Sequence, residues 1–104
     1  MTSHGTLFST VLLLAATLIL ASACESAPPV QEMSDARQAI AVAREAGAED
    51  YAAEELLEAE RYLKSAEQKL SAEQYGDARR DALQAKARAL DARASSEENR
   101  PDEH

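Results

Sequence analysis

The stretch that decides the fold runs from Ala52 to Leu70 and reads AAEELLEAERYLKSAEQKL. Three of its leucines recur every seven residues and three of its alanines recur at the same interval, so both series lie on one stripe of a helix. The members of this stripe are Leu56, Leu63, Leu70, Ala52, Ala59 and Ala66. Because alanine buries little area but lets a partner backbone come close, the pattern predicts an amphipathic helix packed tightly against another helix.

Similar apolar stripes on either side predict two further helices, at about 32–46 and about 74–95. Their predicted buried residues are Met33, Ala36, Ile40 and Ala43 in the first helix, and Ala78, Ala82, Ala85, Ala89 and Ala92 in the last. Gly47 is placed to cap the first helix, and Ser71 with Gln74 has the form of a capping box for the last. We therefore predict an all-α fold, either an antiparallel αα-hairpin or a small three-helix bundle with Ala/Leu seams.

Composition limits the core and the partners of this domain. The chain has 104 residues and is 45% hydrophobic but only 4% aromatic, so a single small domain with a thin core is expected. The formal net charge is −8. This acidity argues against nucleic acid as a partner and against docking onto anionic lipid by charge alone.

Residues 1–23 resemble a bacterial lipoprotein signal peptide that ends before Cys24. An uncharged apolar core at 11–21 is followed by small residues and then by this single cysteine, to which lipid would be attached. The alternative is an uncleaved single-pass membrane protein, since 17–20 apolar residues roughly suffice to cross a bilayer. Its acidic helical part would then be an extracytoplasmic sensor or accessory domain.

The segments that flank the helices are predicted to be irregular. Residues 24–31, which contain Pro28-Pro29, should form an extended tether after the lipidated cysteine. Residues 96–104 are predicted to be a disordered acidic tail.

The predicted helices contain no histidine, which argues against a zinc site or a nucleophile–histidine pair. Carboxylate pairs such as Glu54 with Glu58 could share a divalent cation, but a solvated face is the better interpretation, as it is for Asp77 and Asp81. We therefore expect no catalytic residue, no metal and no cofactor. An enzyme would need a site shared between subunits.

A thin alanine core should leave large apolar residues partly exposed, and these define the predicted interaction surface. The leucines suit self-association or docking to another coiled protein, whereas the tyrosines are interpreted mainly as structural bulk, with stacking on sugar or peptide as the alternative. The surface comprises Tyr51, Leu57, Tyr62, Tyr75, Leu83 and Leu90.

The residues from Met33 to Ala94 resemble a bacterial family known as domain of unknown function 4398, whose members look like small alanine-rich helical lipoproteins. The motifs that carry this resemblance are Gly47-Ala48, Tyr51-Ala52, Leu56, Ala59, Leu63, Ala66, Leu70, Tyr75, Ala78, Ala82, Ala85 and Ala89. The family often has glycine two places before the second tyrosine, where this chain has Glu73. The resemblance implies a helical fold and supplies no catalytic residues.

The resemblance also implies a place in the cell envelope, and some relatives are fused to an OmpA-like domain that holds peptidoglycan. We accordingly expect an extracytoplasmic protein at the outer membrane, facing the periplasm. Its expected partners are the membrane, through lipid on Cys24, and a second copy or another envelope protein. Proximity to peptidoglycan is expected by family association alone.

Overall fold

The computed structural model describes residues 27–101, and in that range the chain forms four α-helices and no strand. The helices are α1 (Val30–Glu45), α2 (Ala48–Tyr51), α3 (Ala53–Ser71) and α4 (Tyr75–Asn99). The three long helices form a bundle in which α4 packs against both α3 and α1. The all-α prediction is confirmed, and of its two forms the three-helix bundle is the one observed.

The core of the bundle is built on alanine, as the stripes predict. The five alanines of the α4 stripe are fully buried, and the four predicted core residues of α1 are buried as well. One cluster joins Met33 to Ala66 and Ala82, and a second joins Ile40 to Leu56 and other residues at the opposite end. Met33 near the start of α1 meets Ala66 in the second half of α3, so α1 and α3 run antiparallel. Met33 also meets Ala82 in the first half of α4, so α1 and α4 run parallel.

The connection between α1 and α3 turns at Gly47, which has a φ of +93°. This left-handed conformation favours glycine, so the predicted C-cap is confirmed. The next four residues then form the single-turn helix α2, which was not among the predicted helices. Ala48, the first residue of α2, and Ala52, which follows its last residue, are buried, so α2 closes one end of the core.

The connection between α3 and α4 contradicts the predicted capping box. Ser71 is the last residue of α3, and its hydroxyl donates to the Glu67 carbonyl rather than capping α4. Gln74 occupies the N-cap position of α4 without a side-chain cap bond. The turn instead follows the Schellman pattern, in which the Gln74 N–H donates to the Lys69 carbonyl at 2.8 Å. The backbone closes the turn, so no side-chain cap is needed.

The predicted boundaries are wrong at two places, and buried residues explain both. α1 begins at Val30, two residues early, because the buried Pro29 serves as its N-cap and its carbonyl accepts from Met33 N–H at 3.0 Å. α4 continues to Asn99 rather than ending at 95. The first residue of the predicted tail, Ser96, is fully buried, and its hydroxyl donates to the Ala92 carbonyl at 2.7 Å.

The predicted signal peptide and Cys24 lie outside the described residues. Within residues 27–101, none of the helices combines the length and the apolar character needed to span a membrane.

Candidate interaction surfaces

The structure places five of the six predicted surface residues in solvent. Leu57, Leu83 and Leu90 are each about half exposed, at 47%, 51% and 47%. Tyr51 and Tyr62 are exposed to 37%, and Tyr75 is only half-buried. These residues do not converge on one site, because they are spread over α2, α3 and α4.

Leu83 and Leu90 belong to a second apolar seam on α4, which we call the outer seam. With Ala87 and Ala94 they recur at intervals of four, three and four residues, and all four side chains are exposed. At 100° per residue this series faces away from the buried alanines of the same helix. Thus α4 carries one seam that closes the core and another that remains without a partner in the described chain.

A buried polar contact that was not predicted from the sequence links α3 to α4. Asp81 is 8% exposed, and its Oδ2 accepts hydrogen bonds from Ser65 Oγ and Lys69 Nζ, each at 2.6 Å. Burial alone would raise the pKa of this carboxyl, but the hydrogen bonds from Lys69 and Ser65, with the charges of Lys69 and Arg80, lower it overall. Asp81 is therefore a buried charged residue that links α4 to α3, and the prediction that it lies on a solvated face is wrong.

The signal for this link was present but weak. Asp81 stands directly before Ala82 of the buried stripe, and Ser65 stands directly before Ala66. Only the register of α3 against α4 shows that these two stripe neighbours meet. No single-helix pattern contains that register.

Tyr62 lies at the rim of an open groove beside this link. The groove, of about 440 Å³, is lined by Tyr62, Glu58, Arg61, Ser65, Lys69 and Asp81. The Asp81 carboxylate in this groove is already bonded to Ser65 and Lys69.

A second set of ion pairs fixes α1 to its neighbours. The Arg44 guanidinium contacts Glu60 on α3 and Glu49 on α2. Arg79 on α4 contacts Glu32 at 3.2 Å and also donates to the Ala27 carbonyl at 3.0 Å. This second contact is informative because it binds the segment before α1 to the side of α4.

The described part of the chain offers no group of three or more His, Cys, Asp and Glu side chains placed to hold a metal ion. Glu54 lines an open groove with Glu58, Glu55, Leu57 and Arg61. Arg61 in this groove supplies a positive charge beside the carboxylates. The groove is therefore a mixed-charge surface formed by residues of α3 alone.

Fold and surface together define a small alanine-seamed helical bundle with open grooves and an unpartnered apolar seam. The family model described as domain of unknown function, DUF4398, matches residues 31–103. The chain belongs to this family, as its motifs indicated. No curated protein and no solved structure matches it.

Proposed function

We propose that this protein is a lipid-anchored envelope protein whose helical bundle acts as a non-catalytic structural or adaptor module. The observation that carries the proposal is that α4 turns small side chains toward the core and large apolar side chains toward solvent. The five alanines of its inner stripe are buried, whereas Leu83 and Leu90 are about half exposed. Burial of apolar surface contributes about 25 cal/mol per Å², so covering the outer seam would give a protein partner binding free energy that the isolated bundle does not use for its own folding.

The proposed anchor is lipid on Cys24 after removal of residues 1–23. Its support is the sequence pattern, in which an uncharged apolar core and two small residues precede a single cysteine. The proposed location is the outer membrane, facing the periplasm, near peptidoglycan. The proposed partner is a second copy or another envelope protein.

The anchor is tested by the intact mass of the full chain after expression in a bacterium. The proposal expects a product that starts at Cys24 and carries diacylglycerol, and it expects Cys24→Ala to lose both processing and lipid. A product that retains Met1, with membrane retention unchanged in the variant, would favour the uncleaved single-pass alternative instead.

The module is tested by photo-crosslinking in cells from a reactive residue placed at Ala87, in the middle of the outer seam. We expect an adduct with a defined protein, and we expect Leu83→Ser/Leu90→Ser to abolish it. The matched control is Gln38→Ser/Gln68→Ser, which changes exposed positions on α1 and α3. Adducts that persist in the leucine variant at the level of this control would refute the outer seam as the contact surface.

A further inference from the structure

The segment that precedes α1 is fastened to one end of the bundle. Arg79 Nη2 donates to the Ala27 carbonyl at 3.0 Å, and Arg79 Nε contacts Glu32 at 3.2 Å. Pro29, between these two contacts, is fully buried. The first described residue, Ala27, is therefore held against the first turns of α4.

Ala27 lies at the same end of the bundle as the turn between α3 and α4. Met33 packs in one cluster with Ala66 and Ala82, and Leu70 packs against that cluster. We call residues 27–30 together with the turn at 71–75 the anchor end of the bundle. The opposite end, at residues 44–55 around α2, is here called the acidic end.

Little chain separates the anchor end from the proposed lipid. Cys24 precedes Ala27 by three residues. Fully extended, three residues span at most about 11 Å. If lipid holds Cys24 at a membrane surface, the anchor end must lie within about that distance of it.

The two ends differ in charge in the way that such an orientation requires. Residues 44–55 carry five carboxylates and one arginine, whereas the anchor end carries one carboxylate, Glu73, and no basic side chain. An anionic leaflet therefore repels the acidic end more strongly than the anchor end. Since α4 has 25 residues and is about 37 Å long, an upright bundle holds its acidic end several Debye lengths, of about 8 Å each, from the surface.

The anchor end also presents apolar side chains to its surroundings. Val30 is 72% exposed, the most exposed large hydrophobic residue of the described chain. Tyr75 at the nearby turn is half-buried, and a tyrosine suits the boundary between apolar chains and headgroups. We propose that the anchor end is a lipid-contacting surface, on which the bundle stands with its acidic end directed away from the membrane. This inference rests on the proposed attachment at Cys24.

Tryptophan fluorescence in vesicles tests this orientation, because the chain contains no tryptophan of its own. The full lipidated chain carrying Tyr75→Trp is reconstituted into phosphatidylcholine–phosphatidylglycerol vesicles with brominated acyl chains. The matched control is Tyr51→Trp, which makes the same change at the acidic end. We expect bromine to quench Tyr75→Trp strongly and to leave Tyr51→Trp unchanged, and we expect Val30→Ser to reduce the quenching of Tyr75→Trp.

Equal quenching of the two tryptophans, or quenching of neither in a chain whose mass confirms lipid on Cys24, would overturn the orientation while leaving the proposed anchor intact. A mass without lipid would overturn both. Should either tyrosine variant lose its helical circular dichroism, Gln74→Trp and Asp50→Trp replace the pair. Both positions are exposed, one at each end, and the same outcomes apply.

Discussion

Glu73 is the residue whose replacement tests the turn between α3 and α4 most sharply. Its φ is +61°, so a residue with a Cβ occupies the left-handed region. That conformation costs such a residue about 1–2 kcal/mol, whereas glycine adopts it freely. Glycine also adds freedom to the unfolded chain, which offsets about 0.4–1 kcal/mol. We expect Glu73→Gly to stabilise the bundle by roughly 0.5–1 kcal/mol, which for a domain of this size raises Tm by about 2–8 °C.

The assay is urea unfolding of a fragment that begins at Glu25, and the helical signal in far-ultraviolet circular dichroism monitors the unfolding. Glu73→Ala is the control, because it removes the carboxylate but keeps the Cβ and should leave the free energy of unfolding close to that of the parent. The reasoning fails if the glycine variant is no more stable than the alanine variant, since the left-handed backbone would then carry no cost.

Two further predictions use the same unfolding assay. Gly47→Ala should destabilise the bundle, because the φ of Gly47 is +93° and a Cβ there would lie 3.1 Å from Tyr51 Cδ2. Gly76→Ala should stabilise the bundle by up to about 1 kcal/mol, since a Cβ at position 76 meets nothing within 4 Å. Equal changes in the free energy of unfolding for the two variants would contradict this. The pKa of Asp81 is lowered, so its carboxyl binds fewer protons in the folded state than in the unfolded state. The carboxylate therefore contributes to the stability of the fold above about pH 4, and this contribution is lost as the pH falls through the pKa that Asp81 has in the folded state. The difference in the free energy of unfolding between the parent and Asp81→Asn should therefore narrow below about pH 4. A constant difference down to about pH 2 would refute the role of the Asp81 charge in linking α4 to α3.

The sequence was sufficient for the helices and their buried faces because those depend on local spacing. The stripe alanines of α4 recur at intervals of four and three residues, and all five are fully buried, namely Ala78, Ala82, Ala85, Ala89 and Ala92. The exposure of Leu57, Leu83 and Leu90 followed from the same spacing, since each stands next to a stripe rather than within it. Gly47 was recognisable because a helix end often requires a left-handed residue.

The features that the sequence did not predict depend on contacts between elements. The α2 turn has four residues, which is too few to show a period. The end of α4 is polar in composition, yet Ser96 is buried there, and the Asn99 amide donates to the Tyr51 carbonyl at 3.5 Å. Asp81 is buried because α3 places Lys69 beside it, and only the packed bundle contains that register.

The claim on which the account depends is that alanine side chains allow the helices to pack closely, and paired substitutions on α4 test it most directly. Ala85 is fully buried, whereas Ala87, two residues further along, is exposed. Leucine at either position keeps a strong helix former, so only the space available differs. Close packing predicts that Ala85→Leu lowers the free energy of unfolding by roughly 1–3 kcal/mol while Ala87→Leu leaves it nearly unchanged. Equal stabilities of the two variants would contradict the account.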